Sequence, residues 1–251
     1  MARIDRSYIG KGPVYIRDRS NDGGLFPIGN TSVLAVSFDE EKKELKDYTS
    51  PGGGNANVLT AISGMTGSMT VHDYSASNMA LFLRGTEAGV TAGGVVGEVH
   101  GTNGTDGEFL PFDEIIDQTA PGLSVVLTND SACAEGTDYS VENNGILVIG
   151  AGNIDNAGIK ISYTKDISEV LEALTTAGAE YELYFNGVNE AQGGDLATLR
   201  MHRVKFSPAQ DLNFIGDEFG EMSADFEVLS DGSIVGAGLS KFMKIQQKTP
   251  S

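Results

Sequence analysis

Three histidines and one cysteine are the residues of this chain with the chemistry to hold a soft metal or attack a carbonyl, and their spacing argues against both. His72, His100 and His202 stand at no ligand spacing from one another or from Cys133, so a zinc site is not expected. A single cysteine allows no internal disulfide and fits a reducing compartment, where it reads as a small buried hydrophobe. Neighbouring carboxylates such as Asp39 and Glu40, or Asp217 and Glu218, have the groups of a glycoside hydrolase. With 35 Asp and Glu in the chain, such neighbours arise by number alone, and there is no tryptophan to line a sugar cleft. The glycine clusters Gly52–Gly54 and Gly93–Gly97 lack the Lys-Ser/Thr of a phosphate loop and the strand–helix setting of a dinucleotide site. Gly101–Glu108 and Asn153–Asn156 are rich in oxygen ligands but lack the alternating acids of a calcium loop, and read as tight turns. No enzymatic activity, cofactor or metal is expected.

The elements that would position these residues are mostly extended. Thirty-three glycines among short alternating runs point to an all-β fold. Ser32–Phe38 sets Val33, Ala35 and Ser37 against Leu34, Val36 and Phe38, and Ser68–His72 sets Met69 and Val71 against Ser68, Thr70 and His72. Between these strands lie the charged run Asp39–Asp47, the turn-rich Tyr48–Asn57 and the mixed Val58–Gly67. Pro51 and the glycines after it disfavour a strand, and connections this long tend to be functional, so residues 39–58 are expected to form a long loop. Ser75–Arg84 reads as a helix, with Ser75 as N-cap, Met79, Ala80, Phe82 and Leu83 as its apolar stripe, and Gly85 ending it.

A small inserted β-domain is expected over residues 96–165, from runs at Leu123–Leu127, Tyr139–Val141, Ile146–Ile149 and Ile159–Tyr163 parted by Asn/Asp/Gly turns. Asp166–Thr175 places Ile167, Val170, Leu171 and Leu174 at helical spacing behind an Asp166/Glu169 capping box. That pattern predicts a helix, with an extended crossing as its competitor. Alternation returns in Tyr181–Phe185, Leu196–Phe206 and Glu221–Leu229. The expected organisation is a β-sandwich built from residues 1–95 and 166–251, interrupted by the insert.

Charge is distributed unevenly over a chain of net −18. Residues 1–19 carry Arg3, Arg6, Lys11, Arg17 and Arg19 against two acids, and the last eleven carry Lys241, Lys244 and Lys248 against none. Each end is therefore +3, and the 221 residues between them hold −24. Such a body repels phosphate backbones, whereas cationic ends suit arms that dock on identical acidic neighbours. No run approaches the ~18 apolar residues of a membrane span, and no apolar stretch follows the N-terminal charges. A soluble protein without a signal peptide or membrane partner is expected. In Glu221–Leu229 the wholly apolar face of Met222, Ala224, Phe226 and Val228 turns Glu221, Asp225 and Glu227 away from the core. These acids either line an open surface or pair with Arg200, His202 or Arg203 on an adjacent strand.

Four stretches in order carry a family likeness: the strand Ser32–Phe38 running into its charged, glycine-rich loop; Thr70–Gly85; Gly136–Val148 with Ile159–Thr164; and Leu183–Asn189, Met201–Pro208 and Leu212–Phe219 leading to Phe226–Asp231. Together they resemble the major tail tube proteins of long-tailed, siphovirus-like bacteriophages. The resemblance implies a β-sandwich subunit whose inner sheet joins its neighbours in a multi-subunit barrel. It implies six-membered rings stacked into a hollow tube for genome ejection, assembled in the host bacterial cytoplasm and carried in the virion tail. The implied partners are further copies of the chain, other tail proteins at the tube ends, and DNA as a passenger that does not adhere.

On this resemblance the ring-stacking loop comprises Asp39, Glu40, Glu41, Lys42, Lys43, Glu44, Lys46, Asp47, Tyr48, Pro51, Gly52, Gly53 and Gly54. Glu221, Asp225 and Glu227 face the lumen, where acids avoid gripping a duplex that carries about one charge per 1.7 Å. Arg3, Arg6, Lys11, Arg17, Arg19, Lys241, Lys244 and Lys248 form the docking arms, and the insert projects outside the tube. The alternatives are the inner tube of a contractile tail or secretion apparatus, a capsid-surface protein, or a carbohydrate-binding β-sandwich.

Overall fold

The computed structural model describes residues 6–49, 51–150 and 152–249. In chain order its principal elements are β1 (Gly10–Lys11), β2 (Val14–Asp18), β3 (Phe26–Pro27), β4 (Thr31–Lys46), β5 (Asn55–Val71), α1 (Ala76–Phe82), β6 (Thr86–Val90), β7 (Gly93–His100) and β8 (Phe109–Pro111). There follow β9 (Ser124–Leu127), β10 (Tyr139–Glu142), β11 (Gly145–Val148), β12 (Ile159–Lys165), β13 (Ser168–Glu172), β14 (Tyr181–Asn189), β15 (Asp195–Phe206), β16 (Met222–Val228) and β17 (Met243–Gln247). The fold is all-β with one short α-helix. Two compact units share the chain: residues up to Glu87 together with those from Leu171 onward, and Ala88–Val170.

The first unit is built on a nine-stranded sheet in the order β3-β2-β14-β15-β16-β5-β4, with β1 added on β14 and β17 on β15. Strand β15 is its junction, since β14 runs along one edge while the other edge is divided between β17 at Ala197–Met201 and β16 at Val204–Phe206. The strands expected to form two sheets of a sandwich are thereby joined in one hydrogen-bonded network. In β16 the alternation is complete: Met222, Ala224, Phe226 and Val228 are buried, and Ser223, Asp225 and Glu227 are exposed. The buried set meets Val14, Met69, Val71, Leu183, Met201, Val204 and Phe206 in one core, where each large side chain contributes about 1.5–3 kcal/mol by leaving water.

Aromatic rings organise that core. Phe206 lies 5.7 Å from Phe82 and 5.4 Å from Phe226, ring centre to ring centre. Gly67 makes room for Phe226, because a Cβ there would stand 2.3 Å from the Phe226 ring. Helix α1 is capped by Ser75, whose side chain accepts from the Asn78 N–H, and it sends the fully buried Phe82 into the core. It ends at Phe82 with Leu83 as its C-cap, and Arg84 follows in a left-handed conformation with φ 50°.

The second unit has its own core. Sheets β10-β11-β8 and β7-β12-β9 enclose Leu110, Val125, Ile146, Val148, Ile159 and Ile161, with Phe112 stacked on Tyr163 at 4.8 Å. This unit is longer at both ends than 96–165. The glycine-rich stretch after Thr86 and the segment after Asp166 form β6 and β13, which pair with each other. Asp166–Thr175, where a helix was the first expectation, holds the strand Ser168–Glu172 and a turn at Ala173 and Leu174. Its apolar residues have no core to meet: Ile167 and Leu174 are exposed, so helical spacing gains no burial and the backbone bonds across the β-ladder instead.

Candidate self-assembly surfaces

The long loop expected at residues 39–58 is a hairpin. Strand β4 continues through Asp39, Glu40, Glu41, Lys42, Lys43, Glu44 and Lys46, with register shifts between Asp39 and Glu40 and between Leu45 and Lys46, and β5 returns from Asn55, pairing as far out as Lys46 with Asn55. At ~3.3 Å per residue each arm reaches roughly 50 Å. Only the inner part is supported, because β16 pairs with β5 between Thr66 and Val71 and no further. Beyond Met65, among the described residues, β4 and β5 have only each other, and both outer edges are open rows of backbone donors and acceptors.

The register explains how a charged run sustains a strand. Lys42 bridges Glu44 at 2.8 Å, Lys46 bridges the same carboxylate at 3.0 Å, and Lys43 bridges Glu41 at 3.6 Å. Lysine and asparagine donors hold the Glu44 carboxyl below its ordinary range. Glu41, Lys42, Lys43, Glu44 and Lys46 thus pair along their own strand, while the strand opposite is uncharged: Glu44 faces Val58, Lys43 faces Leu59 and Glu40 faces Ile62. Leu59 and Ile62 are about two-thirds exposed, at 65% and 63%. At the tip, the Asp47 N–H donates to Gly54 O at 2.8 Å, and Asp47 accepts from the Thr49 N–H and hydroxyl. Tyr48 stands exposed there, ahead of Pro51, and Gly52 and Gly53 turn the chain at positive φ.

The three acids proposed from sequence as lumen-facing lie together at β16. Asp225 and Glu227 share its outward face and Glu221 directly precedes the strand. Asp225 accepts from Gln210 at 2.8 Å, and Glu227 lies opposite Lys205 and Thr66. Neither acid is held by Arg200 or Arg203, because those bind Glu182 and Glu180.

Several supposed docking residues are committed within the subunit. Arg17 lies on β2 and shares the buried Glu182 with Arg200; Arg19 bridges the buried Asp231 at 2.9 Å, and Lys248 bridges Asp195 at 2.5 Å. The basic ends are largely strands of the sheet, and their charge is complementary to acids of the same chain. Lys11 sits in β1 opposite Val188; Arg6, Lys241 and Lys244 are exposed. Arg3 lies outside the described residues.

In the second unit, Glu108 closes the Gly101–Glu108 turn by accepting from the Thr102 hydroxyl at 2.7 Å and from the Asn103 N–H. Asp138 holds the turn at Asn153 by accepting from its N–H and side-chain amide. The acids of these two turns are thus engaged by backbone and side-chain donors. Among the described residues no group of three His, Cys, Asp or Glu could hold a metal ion, and no helix is long and apolar enough to cross a membrane.

Sequence reasoning did not single out Val58, Leu59 and Ile62, nor the exposed Phe214, Ile215 and Phe219. The signal of Val58, Leu59 and Ile62 was an apolar run beside a charged one across a Pro-Gly-Gly-Gly turn, which is the pattern of a two-stranded ribbon of unlike arms.

The chain belongs to a family described as protein of unknown function UCP028589, whose model matches residues 7–246. No curated protein matches it.

Proposed function

We propose that this chain is a structural subunit of a long-tailed phage tail tube, polymerising into stacked rings that form a conduit for the genome. The observation that carries this reading is the outer half of the β4–β5 hairpin. An isolated two-stranded ribbon is marginal in water, and an open, apolar strand edge is a template for another chain. A subunit that adds neighbours along such edges closes them into a barrel. The acids on the outward face of β16 fit a wall that releases DNA, since contacts with phosphate would require cations. The surface of the first unit offers open strand edges and exposed apolar side chains for such contacts.

The test is to replace residues 41–61 by a two-residue Asn-Gly turn and examine the purified protein. The shortened chain is expected to keep its circular dichroism spectrum and to remain monomeric, while the parent forms rings or tubes under negative-stain electron microscopy. Tubes from the shortened chain, or a parent that stays monomeric at high concentration, would overturn the reading.

A further inference from the structure

The connection from β15 to β16 carries a second exposed apolar surface, distinct from the hairpin. Its two ends are fixed. The Ala209 N–H donates to Phe82 O at 2.7 Å, Leu212 bridges Met222 and packs on the core, and the Tyr74 hydroxyl donates to Glu221 O at 2.9 Å. Gly220 passes so close to Tyr74 that a Cβ would stand 2.9 Å from its ring. Between these anchors Phe214, Ile215 and Phe219 are 78%, 97% and 98% exposed, interleaved with Asp211, Asp217 and Glu218. Single exposed apolar residues are ordinary. Three large ones grouped on an anchored loop mark a contact surface.

The complementary surface lies at β17, which among the described residues pairs only with β15 and leaves its other edge open. Lys241 and Lys244 are exposed there and enter no ion pair among the described residues. Lys244 lies opposite Arg200, and Arg200 and Arg17 share a single carboxylate. Phe242, Ile245 and Leu196 supply exposed apolar area around them. On a chain of net −18 this is a basic island, and its opposite in charge is the acidic, aromatic loop of the same chain.

We infer that the 211–219 loop of one copy docks on the β17 edge of the next, a head-to-tail contact that propagates into a ring or filament. This inference rests on the assembly reading above and gives it a polarity.

The test uses the full chain with two sets of reversals: Asp211→Lys, Asp217→Lys and Glu218→Lys on the loop, and Lys241→Glu and Lys244→Glu at the edge. All positions are exposed, so circular dichroism is expected to report the parental fold. Juxtaposed like charges oppose docking, and each set alone is expected to lower the polymer fraction in sedimentation velocity about tenfold or more. Combining both sets in one chain, or mixing the two singly reversed proteins, restores the opposed charges and is expected to restore polymer. If the parent polymerises and either single set does so equally, the docking assignment falls while the assembly reading stands. If both single sets break assembly and neither combination nor mixture restores it, the two surfaces do not meet. A parent that never polymerises sinks both.

Discussion

The inner and outer halves of the β4–β5 hairpin are made by the same two antiparallel strands, with a shift of register between Asp39 and Glu40 where the halves meet, and they answer to different partners. In the inner half, Leu34 and Met69 face each other on the core side and β16 extends the sheet. In the outer half, Lys43 faces Leu59 and Glu40 faces Ile62 with nothing packed on either face. Pairing alone sets the direction of a strand; a buried face supplies its stability. The inner half is thus stabilised by its own subunit, and the outer half has a surface suited to stabilisation by another.

The largest loss of stability is expected in the inner half. Phe226 sits against Gly67 and is 5.4 Å from Phe206, so Phe226→Ala removes ring contacts from both β5 and β15. A loss of about 3–5 kcal/mol is expected, read as a lower urea midpoint for the first unit. A loss under about 1 kcal/mol would mean that the inner half does not depend on this core.

The same contrast explains what was legible in the sequence. Strands with one buried face announce themselves by period two, as Ser32–Phe38 and Glu221–Leu229 do, and Ser75 announced its helix by its capping chemistry. Asp39–Lys46 is exposed on both faces, so it has no hydrophobic period and its charges read as loop; only the register reveals that they pair along the strand. Asp166–Thr175 failed for the converse reason. It has a helical period but no core under it. The basic ends looked like arms because a charge count cannot say which acid meets which base, and the Arg17–Glu182 contact joins residues 165 apart in the chain.

A second, smaller effect is expected in the unit formed by Ala88–Val170. In the residues 88–170 unit, Asp138 is buried and accepts from the N–H groups of Ala134 and Asn153 and from the Asn153 amide. These donors hold its carboxyl below the usual range. Asp138→Ala leaves buried donors unmatched, and a cost of about 1–3 kcal/mol is expected, confined to amide-exchange protection in β10–β12. Because the folded value is depressed, this contribution is complete above the ordinary Asp value near 3.9 and is lost as pH falls through the folded value. Asp138→Asn should flatten that part of the acid limb. An unchanged limb would place the acid sensitivity of this unit elsewhere.

The smallest change in monomer stability is expected where the strand is barest. Leu59 and Ile62 are already about two-thirds exposed, at 65% and 63%, so truncating them removes little area that folding had taken from water. The double change Leu59→Ala with Ile62→Ala should alter the urea midpoint by no more than about 0.5 kcal/mol, the range of surface substitutions. If neighbouring copies cover this strand, the same two truncations remove apolar area from every contact in the polymer, and the critical concentration for assembly should rise. The pair of variants then gives opposite signatures: Phe226→Ala destabilises the subunit, whereas the outer double change spares the subunit and weakens assembly. Should the outer change lower the melting of the monomer as Phe226→Ala does, the outer ribbon is stabilised within its own subunit, and the division between the two halves of the hairpin does not hold.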